Sequence, residues 1–355
     1  MSNYTEEIRE LLLITVREQA SDLHISVGHY PVLRIAGRLV PLVKMRKLTS
    51  EDAQGLAFAL ATDEQKQRVL SVKEIDFSYN FDNKARFRVN IFFQRYNISC
   101  ALRLIPAEIQ TVEELNLPPV LHRFIQPSQG FVLLTGPSSQ GKSTTLAALI
   151  DEINHTRADH IITIEDPIEY VFGDDRSIIE QREVYQDTLS FARALRSTFR
   201  QDPDVIMVGE MRDPETISIA LSAAETGHLV FSTLHTNSAA QTVHRIVDSF
   251  PAEQQNQIRA QLSGSLLGVV SQRLIPRIRG GLIPACEIMI TTPAVANLIR
   301  ENKIHELPLV IETSTELGMI SLNRYLVNLV KNKEISLDNA LSHSLDPVEL
   351  RALTR

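Results

Sequence analysis

A glycine-rich segment at residues 136–143 carries the clearest chemistry in the sequence. It has the form G-x-x-x-x-G-K-[ST], and it lies between the apolar run 131–135 and a segment of helical character at 144–153. Glycines in such a loop let backbone N–H groups curl around phosphate oxygens, and the N-terminus of the following helix adds positive potential. We therefore predict a P-loop, in which Lys142 reaches the β- and γ-phosphates and the Ser143 hydroxyl holds Mg²⁺. The loop residues predicted to contact the nucleotide are Gly136, Pro137, Ser138, Ser139, Gln140, Gly141, Lys142, Ser143 and Thr144.

Two further apolar runs end in acidic residues. Glu210 follows the run 205–208, and Glu165 and Asp166 follow the run 161–164. Because α/β sheets bind ligands at the carboxyl ends of their strands, we expect these carboxylates at the same sheet edge as the P-loop. We expect the strand before Glu210 to lie beside the P-loop strand, Glu210 to orient or deprotonate a water, and Glu165 to support that water. The residues predicted to hold Mg²⁺, directly or through water, are Ser143, Asp166 and Glu210.

Two histidines flank another apolar run, residues 229–232. His235 follows the run, so it is placed at the carboxyl end of a strand, where we expect it to touch the γ-phosphate. His228 precedes the run and is predicted to take part in nucleotide binding. An ordinary structural role is the alternative for both histidines. No His/Cys spacing matches a zinc site.

Several arginines are predicted to point away from apolar faces. Alternation on two strands, 86–93 and 99–105, places Arg88 and Arg103 opposite the apolar side chains. On a helix predicted over 188–200, the apolar side is expected to consist of Leu189, Ala192, Leu195 and Phe199. Arg196 and Arg200 fall on the other side of that helix. These arginines are either solvated or act as arginine fingers that complete the nucleotide site of a neighbouring subunit.

The distribution of apolar residues predicts two domains of different type. An α+β domain is expected over residues 1–105, with helices near 5–20 and 49–60, and a hairpin that turns at Ala36-Gly37. A proline-punctuated linker is expected at 106–120. Alternating strands and helices then predict a parallel α/β core over 121–290, followed by a helical part over 291–355.

Composition limits the possible classes of function. The 355 residues carry 36 basic and 43 acidic side chains, a net charge of −7, which argues against a nucleic-acid binder. The two cysteines, Cys100 and Cys286, cannot form a disulfide framework or a four-cysteine zinc site. We find neither an export signal nor an apolar run long enough to cross a bilayer, and therefore expect a soluble cytoplasmic protein whose membrane contact is peripheral.

Together the motifs resemble the type IV pilus retraction ATPases, the PilT/PilU group of the type II/IV secretion ATPase superfamily. The resemblance runs almost from end to end of the chain. The matching segments are 20–25 (ASDLHI), 86–90 (RFRVN), 136–143 (GPSSQGKS), 163–169 (TIEDPIE), 181–184 (QREV), 209–213 (GEMRD) and 233–236 (TLHT).

This resemblance implies a RecA-like P-loop ATPase domain after an N-terminal PAS-like domain. It also implies a homo-hexamer that holds ATP and Mg²⁺ between subunits, with Arg88, Arg103, Arg196 and Arg200 as interface arginines. The implied activity is ATP hydrolysis that drives pilus retraction and twitching motility, at the cytoplasmic face of the inner membrane. The implied partners are an inner-membrane platform protein and a second retraction ATPase, with no nucleic acid.

Within this group, and outside it, alternatives stay open. The segment 294–301 (AVANLIRE) has Val295 and Ala296 where retraction motors have isoleucine and arginine, and residues 314–319 resemble the accessory PilU type. An accessory retraction motor and a related secretion-system ATPase are therefore alternatives. A RecA-like nucleic-acid translocase and a small-molecule P-loop kinase are more distant ones.

Overall fold

The computed structural model describes residues 4–35, 37–82, 85–105 and 108–354. The chain divides into two compact units, Met1–Glu108 with Asp166–Val171 and Ile109–Glu165 with Phe172–Arg355. Two residues singled out from the sequence, Ala36 in the predicted hairpin turn and Pro106 in the predicted linker, lie outside the described residues.

The first unit contains an antiparallel sheet of six strands in the order β3-β2-β1-β6-β5-β4. Its strands are β1 (Asp22–Ile25), β2 (Val32–Ile35), β3 (Arg38–Pro41), β4 (Glu74–Phe81), β5 (Ala85–Gln94) and β6 (Asn97–Ile105). Its helices are α1 (Tyr4–Arg17), α2 (Ser50–Phe58) and α3 (Asp63–Val72). The α+β architecture predicted for this part of the chain is therefore present.

One face of this sheet is apolar because side chains alternate along each strand. Phe87 and Val89 of β5 are fully buried in one cluster with Leu23 of β1 and Leu11 of α1. The residues between them, such as Arg88, point to the polar face. A Thr-x-x-Asp cap begins α2, with reciprocal bonds between Thr49 and Asp52. The first helix ends at Arg17, three residues earlier than expected, because Gln19 has a positive φ of 50°.

The second unit contains a seven-stranded sheet in the order β13-β12-β7-β11-β10-β8-β9. All neighbouring strands are parallel except β12 and β13. The strands are β7 (Gly130–Thr135), β8 (His160–Glu165), β9 (Ile178–Glu183), β10 (Val205–Val208), β11 (Leu229–Leu234), β12 (Leu266–Pro276) and β13 (Leu282–Ile290). The helices are α4 (Lys142–Thr156), α5 (Phe191–Thr198), α6 (Pro214–Glu225), α7 (Ala239–Asp248), α8 (Ala252–Ser265), α9 (Pro293–Arg300), α10 (Leu307–Thr313), α11 (Leu322–Lys331), α12 (Leu337–His343) and α13 (Pro347–Leu353).

The strand order corrects one expectation. The strand before Glu210 was expected beside the P-loop strand, but β11 lies between β10 and β7. Phe131 of β7 pairs with Val230 of β11, which in turn pairs with Ile206 of β10. All three strands are buried from end to end, so the apolar runs alone give no order. Of the two residues, His235 and not Glu210 therefore follows a strand that is paired with β7.

The cysteines and the lengths of the helices bear on two of the expectations drawn from composition. Both cysteines are free and buried, and burial raises the pKa of the Cys286 thiol to about 12. Among the described residues, no helix combines the length and the apolar character that crossing a bilayer requires.

Candidate nucleotide-binding site

The P-loop connects the buried strand β7 directly to helix α4. Gly141 occupies the N-cap position of α4 in the left-handed conformation, with a φ of 78°. Lys142, only 8% exposed, donates hydrogen bonds from Nζ to the carbonyl oxygens of Gly136 (2.7 Å) and Pro137 (2.8 Å). Ser143 lies exposed in the first turn of the helix. The loop thus gathers a lysine ammonium, a hydroxyl and a helix N-terminus at one place, which is the chemistry that a phosphate chain requires.

The first glycine of the motif is required by its conformation and by its surroundings. Gly136 has a φ of 141°, which side-chain-bearing residues rarely adopt, and a Cβ there would overlap the carbonyl oxygen of Gln272 on β12. Gln272 was not singled out from the sequence. The signal that could have found it is the polar triplet 271–273, which interrupts the apolar residues on both sides of it in β12.

The acidic residues predicted from strand ends do lie at the carboxyl edge of the sheet. Glu165 ends β8; its Oε1 accepts hydrogen bonds from Thr163 Oγ1 (2.7 Å) and Gln181 Nε2 (3.2 Å). Glu210 follows β10, which is held to β8 by a bond from Gly209 N to the Ile164 carbonyl. Asp166 belongs to the first unit, and its place in a metal site stays a prediction.

His235 lies at the carboxyl edge of the sheet, as its position after a strand predicted, and it is close to Glu210. His235 Nε2 lies 3.4 Å from Glu210 Oε2, and Arg212 forms an ion pair with the same carboxylate. The two loops are tied together by a hydrogen bond of 2.6 Å from Thr233 Oγ1 to the Gly209 carbonyl. The Glu210 side chain is only 15% exposed, whereas His235 is half exposed. A carboxylate held between a histidine and an arginine can orient a water molecule or accept its proton.

His228 does not lie with these residues, which corrects its assignment. Because β11 and β7 are parallel and Leu229 pairs with Gly130, His228 lies at the amino end of the strands. Six residues of strand, about 20 Å, separate that end from the P-loop. His228 Nδ1 lies 3.0 Å from the Ala223 carbonyl, and its ring packs against Phe199 at 5.6 Å. The structure therefore does not bring His228 to the P-loop of its own unit.

The apolar side predicted for the helix near 188–200 is correct only in its centre. Ala192 and Leu195 are buried, but Leu189 is 65% exposed and Phe199 is 38% exposed. The helix is shorter than expected, since Ser190 caps it and α5 ends at residue 198. Leu189 and Phe199 therefore fall outside the helix, where its periodicity no longer applies.

The two arginines predicted on the polar side of that helix, Arg196 and Arg200, are exposed, as expected. Arg196 forms an ion pair with Glu215 of α6, and Arg200 lies just beyond the end of α5. Among the described residues, neither arginine has a hydrogen bond or ion pair with the P-loop of the same unit. An interface role for both therefore stays a prediction.

The two strand arginines lie side by side on the polar face of the first unit's sheet. Arg88 is directly opposite Arg103 in the pairing of β5 with β6. Arg103 Nε donates a hydrogen bond of 3.0 Å to Asp22 Oδ1, and Arg88 Nη1 lies 3.4 Å from Glu169 Oε1. Like charges in directly opposite positions destabilise a sheet. Both guanidinium groups are paired with carboxylates here, Arg103 with Asp22 and Arg88 with Asp76 and Glu169.

Two partly buried charged residues behind the His235 loop, Arg273 and Glu287, were also missed from the sequence. Arg273 Nη2 donates to Asn237 Oδ1 (3.2 Å), and Glu287 Oε1 accepts from the backbone N of Ala239 (2.8 Å). Burial lowers the pKa of Arg273 and raises the pKa of Glu287. Strands β12 and β13 thereby hold the loop that connects His235 to α7.

Strand, glycine loop and helix, with carboxylates at the same sheet edge, define a P-loop protein. The family described as "Type II/IV secretion system protein" matches residues 4–321. The chain is 48% identical to the type IV pilus retraction ATPase PilT of Pseudomonas aeruginosa, covering 94% of this chain and 97% of that protein. It is 39% identical to the type IV pilus ATPase PilU of the same organism, covering 98% and 91%. The crystal structure of the pilus retraction motor PilT with bound ADP is similar at a TM-score of 0.90 and 46% identity, covering 97% and 99%.

The chain therefore belongs to the type II/IV secretion system protein family and, within it, to the PilT/PilU group of ATPases. The predicted fold class, a RecA-like P-loop ATPase domain with an N-terminal α+β PAS-like domain, is confirmed by the same similarity.

Proposed function

We propose that this chain is a hexameric motor that hydrolyses ATP to drive retraction of a type IV pilus. The observation that carries the proposal is the P-loop, with Glu165, Glu210 and His235 at the same sheet edge, in a chain that is 48% identical to a pilus retraction ATPase. The proposed roles follow from position. Lys142 and the P-loop amides bind the phosphates, Glu210 orients the attacking water, and His235 senses the γ-phosphate through Glu210.

The arginines complete the site from a neighbouring subunit in this proposal. Arg88 and Arg103 lie side by side on the polar face of the first unit's sheet, in a different unit from the P-loop. Arg196 and Arg200 are exposed on the second unit. A ring of subunits would place these guanidinium groups against the phosphates bound by the next subunit. Arginine fingers supplied in this way raise hydrolysis by about 10³–10⁵-fold.

Magnesium fits the residues at the loop. Among the described residues, no cluster of three or more His, Cys, Asp or Glu could hold a metal ion. Mg²⁺ does not need such a cage, because it usually keeps water and phosphate ligands and one or two protein oxygens. The Ser143 hydroxyl, with Glu210 or Asp166 directly or through water, would supply them. The ion would neutralise charge on the β- and γ-phosphate oxygens.

The proposed place of action is the cytoplasmic face of the inner membrane. The motor would act there on a membrane-embedded platform protein, together with a second retraction ATPase. Identity to PilT is higher than to PilU, which favours the main retraction motor over the accessory one.

Deletion of the gene in the organism that carries it, followed by complementation, tests this proposal. We expect hyperpiliation and loss of twitching motility in the deletion strain. Motility should return with the wild-type chain and with Lys331→Ala, an exposed lysine on α11, but not with Lys142→Ala.

Other outcomes would contradict the proposal in distinct ways. Loss of pili would identify an assembly motor, and retained motility an accessory one. Stimulation of hydrolysis by single-stranded DNA at low salt would identify a nucleic-acid motor. Phosphate release only after addition of a small acceptor would identify a kinase.

A further inference from the structure

Strand β12 holds the P-loop through one buried side chain, Gln272. This strand runs parallel to β7, with Ser271 opposite Thr135, so the next residue along β12 stands beside the start of the loop. The hydroxyls of Thr135 and Ser271 lie 2.5 Å apart. Gln272 is 2% exposed. It is therefore a buried amide next to a backbone segment that has no regular secondary structure of its own.

Both hydrogen-bonding atoms of the Gln272 amide are used, one at each side of the helix start. Nε2 donates to the carbonyl oxygen of Gln140 at 2.8 Å. Oε1 accepts from Thr145 Oγ1, also at 2.8 Å. A carbonyl can only accept, and the Thr145 hydroxyl here donates, so a side chain that meets both needs one donor and one acceptor at its tip. A neutral amide has both.

The loop is closed onto this residue by its two glycines. A Cβ at Gly136 would overlap the Gln272 backbone carbonyl oxygen, and a Cβ at Gly141 would lie 2.9 Å from Gln272 Nε2. The loop also bonds back to the same strand, because Gln140 Oε1 accepts from the backbone N of Leu274 at 2.7 Å. The first glycine, the last glycine and the residue before it are thus all held against β12.

We infer that Gln272 is a positioning residue for nucleotide binding: its amide fixes the P-loop in the curl that phosphates require. A loop ordered before binding spares the nucleotide the entropic cost of ordering it. Without the amide, the Gln140 carbonyl and the Thr145 hydroxyl lose their partner, and the loop samples conformations that do not bind. This inference rests on the proposed nucleotide site and identifies a residue that acts on it from outside the motif.

Nucleotide affinity of purified variants tests the inference. Gln272→Met keeps the length of the side chain and removes both hydrogen bonds, so the Kd for a fluorescent ADP analogue should rise by about 10-fold. The KM for ATP should rise in parallel with little change in kcat, because the lost binding is common to the ground state and the transition state. Gln272→Glu should weaken binding further, because a carboxylate would face the Gln140 carbonyl and the bound phosphates. The matched control is Gln255→Met on α8, where the glutamine bonds to the Phe250 carbonyl and not to the loop.

Two further measurements separate positioning from mere stability. Thr145→Val removes only the bond to Gln272 Oε1, so it should raise the Kd less than Gln272→Met does. The effects of the two substitutions should be non-additive in the double variant, because the two side chains share that bond. If Gln272→Met does not fold, Thr145→Val alone tests the inference. A lower Tm of nucleotide-free Gln272→Met with wild-type Kd and KM would overturn the inference and leave the proposed function intact. A wild-type protein that binds no nucleotide would overturn both.

Discussion

Replacing the first P-loop glycine by alanine should be far more damaging than a typical surface change. At position 136 a side chain meets two obstacles, a φ of 141° and the Gln272 carbonyl oxygen of a buried strand. Backbone strain of this kind costs about 1–3 kcal/mol. Forcing an extra carbon against packed backbone costs about another 1–3 kcal/mol. We therefore expect Gly136→Ala to lose about 2–6 kcal/mol, divided between the free energy of unfolding and nucleotide binding.

The division between the two quantities depends on whether the loop moves. If it stays in place, the urea midpoint of unfolding falls; if it shifts to relieve the overlap, the Kd for ADP rises by about tenfold for every 1.4 kcal/mol. Both are measured on the same nucleotide-free preparation, by urea denaturation and by titration with a fluorescent ADP analogue.

Two other glycines provide graded controls. Gly141→Ala should cost about 1–2 kcal/mol through its left-handed φ of 78°. The added carbon would also lie 2.9 Å from Gln272 Nε2, so this variant should weaken ADP binding as well, because it displaces the amide that holds the loop. Gly264→Ala should gain about 0.5–1 kcal/mol, since this helix position has no atom within 4 Å of the added carbon. Wild-type stability together with wild-type affinity in Gly136→Ala would refute the packing argument.

Three further predictions concern catalysis and stability. Glu210→Gln should lower kcat, measured by steady-state kinetics, by about 10²–10⁴-fold with the ADP Kd unchanged. A kcat equal to that of the wild type would contradict the proposed role of Glu210 in activating water. Arg103→Ala should lower kcat by about 10³-fold or more with ATP affinity retained, and an equal loss of affinity would show that Arg103 acts in binding instead. The Arg46 guanidinium holds the pKa of Asp52 well below its usual range, so this pair stabilises the fold above about pH 4 and ceases to do so as Asp52 is protonated at lower pH. Asp52→Asn should therefore unfold about 1–2 kcal/mol more easily at pH 7, and the difference should shrink as the pH is lowered below 4; a difference independent of pH would contradict this.

Residues whose chemistry depends on local backbone geometry were predictable from the sequence. The P-loop could be placed because its glycines, lysine and serine have fixed spacing relative to one strand and one helix. Glu165, Glu210 and His235 could be placed at the sheet edge, because each lies at the carboxyl end of a buried parallel strand or within two residues after it.

Features that depend on long-range pairing were not predictable in the same way. The apolar runs predicted that β10 and β11 are strands, but not their order in the sheet. His228 was expected to bind nucleotide, although it lies at the amino end of β11, opposite to the P-loop edge. The β12–β13 hairpin follows α8 without a break, and its apolar stretch has no periodicity that separates strand from helix. Gln272 was missed because β12 was not recognised as a strand, and because its hydrogen-bond partners lie more than a hundred positions away in the chain.

Mixing two inactive variants tests most directly whether hydrolysis takes place between subunits. Lys142→Ala removes the lysine of the P-loop, and Arg103→Ala removes the guanidinium that we propose a neighbouring subunit supplies. Each variant alone should be inactive. An equimolar mixture that is allowed to exchange subunits should regain about a quarter of the wild-type rate, because an active interface needs an intact loop on one side and an intact arginine on the other. A mixture as inactive as its components would contradict the account.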